Sequence, residues 1–401
     1  MHEIEAEFSV VTPLFMSGAN QQQTELRITS IKGAIRFWWR ALNYAQQAKR
    51  AEGSIIQSIK VQEDKVFGST QAQAAVRFQL TTVSTKPGSA TLFNKQHGLI
   101  YLGYGVVDRD GHLERPCYES AQFTLKLISK HAIQDHVTDA IKLFGLIGGI
   151  GSRSRKGFGS VNLQRMDITS GSTKQTLFAQ EDKLNYQQTI TQLLNKYQIS
   201  TLTSQPQYSA LSNNSRLKIL LTSDAPKKLL NDYGMKMQRY RSWGYEYNNE
   251  HKLPGNTPAE QNFESDHHWF KQPEWRANPP NFHPERAIFG LPHNYFKSKN
   301  QTATVQPASD LERRASPLFF HVHQQRENEY LGIAILLPAA FLPTDVKLDA
   351  DGTQVDVDTK QFKVILDFFS GYEGHRTNKS KTHYFPNRLQ LWPKPLEENK
   401  A

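Results

Sequence analysis

Gly148-Gly149-Ile150-Gly151-Ser152-Arg153-Ser154-Arg155-Lys156-Gly157-Phe158-Gly159-Ser160 is the most distinctive run in this 401-residue chain. Gly148, Gly149, Gly151, Gly157 and Gly159 tolerate positive φ and let another backbone come close. Successive amides in such a loop form an anion-binding nest, and Arg153, Arg155 and Lys156 add charge to it. The run is therefore shaped for a phosphate backbone, with a flexible surface loop as the alternative. A Walker-type nucleotide loop is excluded, because no Gly-Lys-Ser/Thr follows at the required spacing. A dinucleotide fingerprint is excluded as well, since neither Gly149-Ile150-Gly151 nor Gly157-Phe158-Gly159 has a third glycine.

Upstream, Val137, Ile141 and Phe144 align on one face of a helix expected over Gln134 to Phe144, which the glycines end; downstream, a strand starts near Ser160. Farther out, Ile4, Ala6, Phe8 and Val10 alternate with acids as a half-buried strand. A helix from about Ser30 to Gln47 carries Ile31, Ile35, Trp38 and Leu42 as a core-facing stripe. Strand-like stretches follow at Ala75 to Val83, Gly98 to Val107 and Gln122 to Ile128. Strand, helix, paired strands, helix, strand is the ferredoxin-like (RRM-like) order, with one extra strand in the middle.

A similar order recurs later, with strands at Arg216 to Leu221, Leu318 to His323 and Tyr330 to Leu337, and helices at Leu229 to Tyr240 and around Lys360 to Phe369. The expected class is α+β with tandem ferredoxin-like domains: residues 1–166, a connector 167–204 with a helix from Gln180 to Tyr197, and residues 205–401. The stretch 244–309 is rich in Pro, Asn, His and aromatic residues without a period and reads as a long irregular insertion of open role.

The formal net charge of +10 favours a polyanionic partner. Charge placement sharpens this. Lys32, Arg36 and Arg40 form a row beside the apolar stripe, with Arg27 just ahead of the helix. Its first turn has no acid to offset the helix dipole, so an anion is the expected partner; a solvated basic face is the alternative. Arg239 and Arg241 sit with Lys236 and with Tyr240, Trp243, Tyr245 and Tyr247, a mixture suited either to gripping phosphates and stacking bases or to a core. Arg313 and Arg314 precede a strand and form a further basic pair.

A lone cysteine, Cys117, forms no internal disulfide, which suits a reducing cytosol. No apolar stretch reaches the ~20 residues of a membrane span, and the first residues lack the pattern of a secretory signal. No membrane partner and a cytoplasmic location are expected. No metal and no cofactor are expected either: His267 and His268 are adjacent and badly placed for one ion, and His321 and His323 share a strand face without a third ligand.

Glu25-Leu26-Arg27 with Ser30-Ile31-Lys32-Gly33-Ala34-Ile35-Arg36-Phe37-Trp38-Trp39-Arg40-Ala41-Leu42 resembles the N-terminal signature of the RAMP superfamily's first-numbered Cmr-series subunit, from type III-B CRISPR effector complexes. The loop 148–160 is similar to the glycine-rich loop of that superfamily. Phe289-Gly290-Leu291-Pro292 and Arg313-Arg314-Ala315-Ser316-Pro317-Leu318 resemble its C-terminal half. The resemblance implies two ferredoxin-like domains, no nuclease activity of the subunit itself, and other RAMP subunits as neighbours. It also implies a place at the 3′ region of the guide RNA where target RNA is engaged, with Lys32, Arg36, Arg40, Arg153, Arg155 and Lys156 on RNA. The rival readings are a guide-processing endoribonuclease of the same superfamily, using a His or Tyr base on a 2′-hydroxyl, and a general RNA chaperone.

Overall fold

The computed structural model describes residues 1–180, 186–271, 283–298, 301–357, 362–370 and 384–393. The first half runs β1 (His2–Val10), α1 (Ile28–Arg50), α2 (Ile55–Phe67), β2 (Arg77–Pro87), α3 (His97–Leu102), β3 (Tyr118–Ser129), α4 (Asp135–Ile147), β4 (Val161–Ser170), β5 (Thr173–Ala179) and α5 (Tyr186–Lys196). The five strands form one antiparallel sheet in the order β2-β3-β1-β4-β5. Alternation in β1 does what period two dictates: Ile4, Ala6, Phe8 and Val10 are buried. On α1, Ile31, Ile35, Trp38 and Leu42 are buried as the stripe requires, and Trp39 joins them, donating its indole N–H to Nδ1 of His136 at 2.8 Å.

The second half continues with β6 (Arg216–Ser223), α6 (Pro226–Arg241), β7 (Tyr245–Tyr247), β8 (Glu250–Leu253), β9 (Thr257–Pro258), α7 (Glu264–Lys271), β10 (His293–Ser298) and β11 (Gln301–Pro307). Then come β12 (Leu318–Arg326), β13 (Glu329–Leu336), β14 (Leu348–Ala350), β15 (Thr353–Val355), α8 (Lys363–Ser370) and β16 (Leu389–Trp392). A second antiparallel sheet has the order β12-β13-β6-β16.

Four expectations are corrected. Gly98 to Val107 is not a strand: its start is helix α3, because Gly98 lies directly on Gly234 of α6, where a Cβ would sit 2.2 Å from the Gly98 carbonyl oxygen. Asn231 Oδ1 accepts from the amides of Gly98 and Leu99, and Leu99 and Leu102 are buried at helical spacing. A continuous apolar run does not distinguish the two states by periodicity. The boundary at 166/167 falls inside β4, and part of the expected connector is β5, which extends the first sheet. Helix α2 is additional to the expected elements; Ser54 caps it, accepting from the Gln57 amide. Finally, residues 244–309 are not irregular, although 272–282 and 299–300 lie outside the described residues. They hold the small sheet β7-β8-β9, helix α7 and strands β10 and β11, which join β14 and β15 in a third, four-stranded sheet. Lys360 and Gln361, expected to open the late helix, also lie outside the described residues.

Buried Asp266 ties this segment together. Its carboxylate accepts from the amides of Glu285 and Arg286, from Arg286 Nε at 3.2 Å and from the Tyr295 hydroxyl at 2.8 Å. A buried carboxylate is tolerated only when its lone pairs are filled in this way.

The two halves share their cores. Leu217, Phe319, Leu331, Ile333 and Ile335 of the second sheet pack into the same cluster as α1, α4 and the first sheet; Leu220, Phe320, Val322, Ala334 and Leu336 face the other cluster with α6 and α8. Strand β12 is an edge strand of its sheet, and the first half covers that edge. Ser160 Oγ accepts from the Val322 amide, Asn162 Nδ2 donates to the Val322 carbonyl, Asn162 Oδ1 accepts from the Gln324 amide, and the Phe320 amide donates to the Arg155 carbonyl. An open sheet edge is thereby closed by side chains of the chain itself.

Candidate nucleic-acid interface

Helix α1 presents the first basic row, and its first turn contains no acid and no side-chain cap. The anion missing from the helix's own sequence is supplied by α2: Glu63 meets Arg36 Nε at 2.5 Å and Arg40 Nη1 at 2.7 Å, with its side chain only 6% exposed. Arg36 and Arg40 therefore neutralise a buried carboxylate and tie two helices together, which corrects their reading as open phosphate contacts. Lys32 is different. Its ammonium lies 5.5 Å from the Phe78 ring centre, and burial followed by the Arg36 charge lowers its pKa. Arg27 occupies the residue before the helix, its amide donating to Met16 Sδ. Gly33 has open space where its Cβ would be.

The glycine-rich loop connects α4 to β4 and lies along β12. Gly157, at φ +92°, has Leu230 and Phe320 atoms within 3 Å of where a Cβ would stand; Gly159, at φ +58°, has the Ile150 carbonyl oxygen at 2.1 Å. Their small size serves protein packing. The amides of Ile150, Ser152, Lys156, Gly157, Gly159 and Ser160 all donate to protein oxygens, so these six do not serve an outside anion. What it offers outward is side-chain charge. Arg153 is left-handed at φ +62°, a conformation costing a side chain roughly 1 kcal/mol, and its guanidinium donates to the Tyr104 carbonyl. Arg155 donates to the Ser316 carbonyl and lies over Phe319 at 4.2 Å and Phe37 at 5.5 Å. Burial and then the Arg314 charge bring it down to about 10.

These groups open onto a cleft of about 1130 Å³. Arg153, Arg155 and Lys156 line it from the loop, Tyr101 and Tyr104 from α3 and the turn after it, and Arg241 and Trp243 from the end of α6. Tyr245, His267, Phe289, His293 and Arg314 complete the wall. Arg313 is close enough to lower the pKa of Arg153, after burial and Arg115. Burial, reinforced by Arg153 and Arg241, brings Lys156 down to about 7. Of the carboxylates on the lining, Asp266 bonds Arg286 and Asp108 bonds His112, leaving Glu246 on an exposed strand. Among the described residues, Arg153, Lys156, Arg241 and Arg314 have no carboxylate partner. Arg241 instead lies 4.3 Å over Phe289, and the Nε atoms of Arg241 and Arg314 are buried without a hydrogen-bond acceptor.

Folding thus brings together Arg153, Arg155, Lys156, Arg241, Arg313 and Arg314 and leaves Arg27, Lys32, Arg36 and Arg40 on α1. Arg239 is engaged elsewhere, 2.9 Å from Glu260. Phe289-Gly290-Leu291-Pro292 meets Arg314 directly through paired backbone hydrogen bonds between Leu291 and Arg314. Of the suggested stacking residues, Tyr240 is core, donating to the Val364 carbonyl; Tyr245 and Tyr247 are exposed. Tyr104 is not among the residues that sequence reasoning selects, because the turn presenting it carries a strand-like pattern.

Four histidines are pushed toward the neutral form by their surroundings. Burial brings His321 down to about 3 against a bond to the Gly148 carbonyl, and lowers His293 and His323 as well. His267, brought to about 3 by burial and nearby cations, stacks on Trp243 at 3.9 Å. Among the described residues, Asp108, Asp110 and His112 form one surface cluster with metal-ligand spacing. Among the described residues, no helix is long and apolar enough to cross a membrane.

Residues 7–162 match the family model of the RAMP superfamily. Two curated relatives come from Pyrococcus furiosus. The CRISPR system Cmr subunit Cmr1-2 is 26% identical over 187 residues, which cover 41% of this chain and 97% of that protein. The CRISPR system Cmr subunit Cmr1-1 is 27% identical over 168 residues, 41% of this chain and 48% of that protein. The apo crystal structure of Cmr1 from Pyrococcus furiosus superposes with a TM-score of 0.52 at 20% identity, covering 97% of this chain and 98% of that one. The mixed α/β fold with antiparallel sheets is therefore similar to that of Cmr1.

Proposed function

We propose that this chain, whose residues 7–162 match the family model of the RAMP superfamily, is a non-catalytic RNA-binding subunit of a type III-B CRISPR effector complex. In this reading it holds the 3′ region of the guide RNA, engages target RNA, and works in the cytoplasm beside other RAMP subunits. Its relatives are named as Cmr subunits of a CRISPR system, which supports the assignment. We read both large sheets as ferredoxin-like units, since in each the first strand lies between the third and fourth, with helices after the first and third.

One observation carries the function: a cleft walled by Arg153, Lys156, Arg241 and Arg314 with no carboxylate partner for any of them among the described residues. Unpaired cations held together repel one another, and a phosphate backbone relieves that cost while releasing its condensed counterions. Contacts of this kind position a strand without reading its sequence, so target choice falls to guide pairing.

The test is a titration of unrelated single-stranded RNAs across salt concentration. Arg153→Ala with Lys156→Ala should weaken all of them similarly and flatten the log–log salt slope by about 0.7 for each phosphate the variant no longer neutralises. Unchanged affinity in a folded variant removes the cleft from the RNA path. Discrete cleavage of repeat RNA by the purified protein without metal would favour the endoribonuclease instead.

A further inference from the structure

The cleft carries more than charge. Tyr104 and Tyr245, both on its lining, keep 62% and 51% of their surface exposed. Scattered apolar residues at a surface need no explanation, but two open aromatic rings beside unpaired cations are the combination that grips single strands, rings for bases and cations for phosphates. The two kinds of group also come from different parts of the chain. Arg153 and Lys156 belong to the glycine-rich loop, whereas Trp243 follows the end of α6 and Tyr245 belongs to β7, the first strand of the segment 244–309 whose role the sequence left unassigned.

Unanswered hydrogen-bonding groups lie on the same side. Trp243 Nε1, His251 Nδ1 and Arg241 Nε are all without a protein partner, and all three residues line the cleft. Trp243 is held by its stack on His267, with the His251 ring edge-on at 5.8 Å. A cleft of about 1130 Å³ is slightly larger than the ~300–1,000 Å³ typical of pockets for compact ligands. A backbone alone would leave the aromatic wall unused.

We propose that the end of α6 and strand β7 seat an unstacked nucleobase on Tyr245, so that the cleft takes one nucleotide of a single-stranded RNA as phosphate and base together. Arg153 and Lys156 hold the phosphate from the loop side. Tyr245 supplies a face for the base, and Trp243, His251 and Arg241 line the seat, each with one buried nitrogen that has no protein partner. Stacking is tolerant of sequence, because every base has a π face. The inference rests on the RNA-binding reading and adds to it a base seat built by the 244–309 segment.

The experiment compares, with the full chain, a short single-stranded RNA and the same backbone carrying abasic sites, both followed by fluorescence anisotropy. The parent protein should prefer the base-bearing strand by about 5- to 150-fold, the value of one stacked base. Tyr245→Ala should lose most of that preference with its salt slope unchanged, and Tyr245→Phe should restore it. Lys156→Gln serves as the separate probe of the phosphate grip, weakening both strands. Equal binding of the two strands by the parent overturns the base seat, as does an unaltered preference in Tyr245→Ala. If Lys156→Gln still weakens both strands in that case, the RNA reading stands without the seat. If Lys156→Gln, together with Arg153→Gln, binds RNA as the parent does, the RNA reading itself falls.

Discussion

Replacing Glu63 by Gln keeps the shape of the side chain and removes the charge that Arg36 and Arg40 share. The carboxylate is 6% exposed and the two guanidiniums 30% and 34%, at 2.5 and 2.7 Å. At an effective dielectric near 20 each such pair carries a Coulomb energy of about 4 kcal/mol before desolvation. Breaking a buried ion pair costs ~3–5 kcal/mol, and the partly open arginines move this site to the lower end, about 3 kcal/mol. Arg36→Ala leaves Arg40 on the carboxylate and should cost about 1.5 kcal/mol, the value of one charge-assisted hydrogen bond. Lys32→Ala, with no ion pair among the described residues, should stay within about 0.5 kcal/mol. Urea denaturation of the three variants and of Arg36→Ala with Glu63→Gln gives a double-mutant cycle, in which a coupling of at least ~1 kcal/mol is expected. A Glu63→Gln loss below ~0.5 kcal/mol with no coupling refutes the reasoning. So does an Arg36→Ala variant of unchanged stability and weakened RNA binding, which would return that row to the phosphate path.

Trp38→Ala should cost about 3–5 kcal/mol, since the ring is 3% exposed and packs against Phe37 and Phe319; a melting temperature equal to the parent's would contradict this. Lys156 falls from an ordinary 10.5 to about 7, so between these values the unfolded chain binds a proton that the folded one lacks, and its burial penalty fades as pH rises through that window. Lys156→Met should accordingly raise the urea midpoint at pH 6 and barely move it near pH 11; an equal gain at both fails the test. RNA affinity should run the other way, dropping by up to ~10-fold per unit as pH rises above 7, because bound phosphate favours the ammonium; Lys156→Arg should flatten that profile. Burial and the Glu119 charge push the Cys117 thiol up to about 12, so thiol reagents at pH 8 should label it only after denaturation.

The α1 stripe, the alternation in β1 and helices α4 and α6 are legible because their periodicity comes from which side is buried, and a single segment records that. The basic loop is legible for a similar reason: its charges and glycines are consecutive. Partners in space are not. The counterion of Arg36 and Arg40 lies on α2, a helix outside the expected set despite Ile55, Ile59 and Phe67 at helical spacing. Without it, the row looks as though it awaits an outside anion. The loop's glycines answer to Phe320 and Ile150, contacts that their sequence does not announce. The segment 244–309 hides its order because its strands are short and its organiser, Asp266, acts through residues 19 to 29 positions away.

Closing the β12 edge with Ser160 and Asn162 also sets a timetable for the growing polypeptide. Asn162 waits for Gln324, 162 residues later, and Trp38 waits still longer for Phe319. At about 5–20 residues added per second, the ribosome leaves the first sheet and its helices without their lid for roughly 10–30 s. Throughout that interval an apolar face meant for β12 stands open to whatever strand arrives first. Holding factors should therefore bind the nascent chain between the appearance of β4 and that of β12, and release it once β12 has emerged.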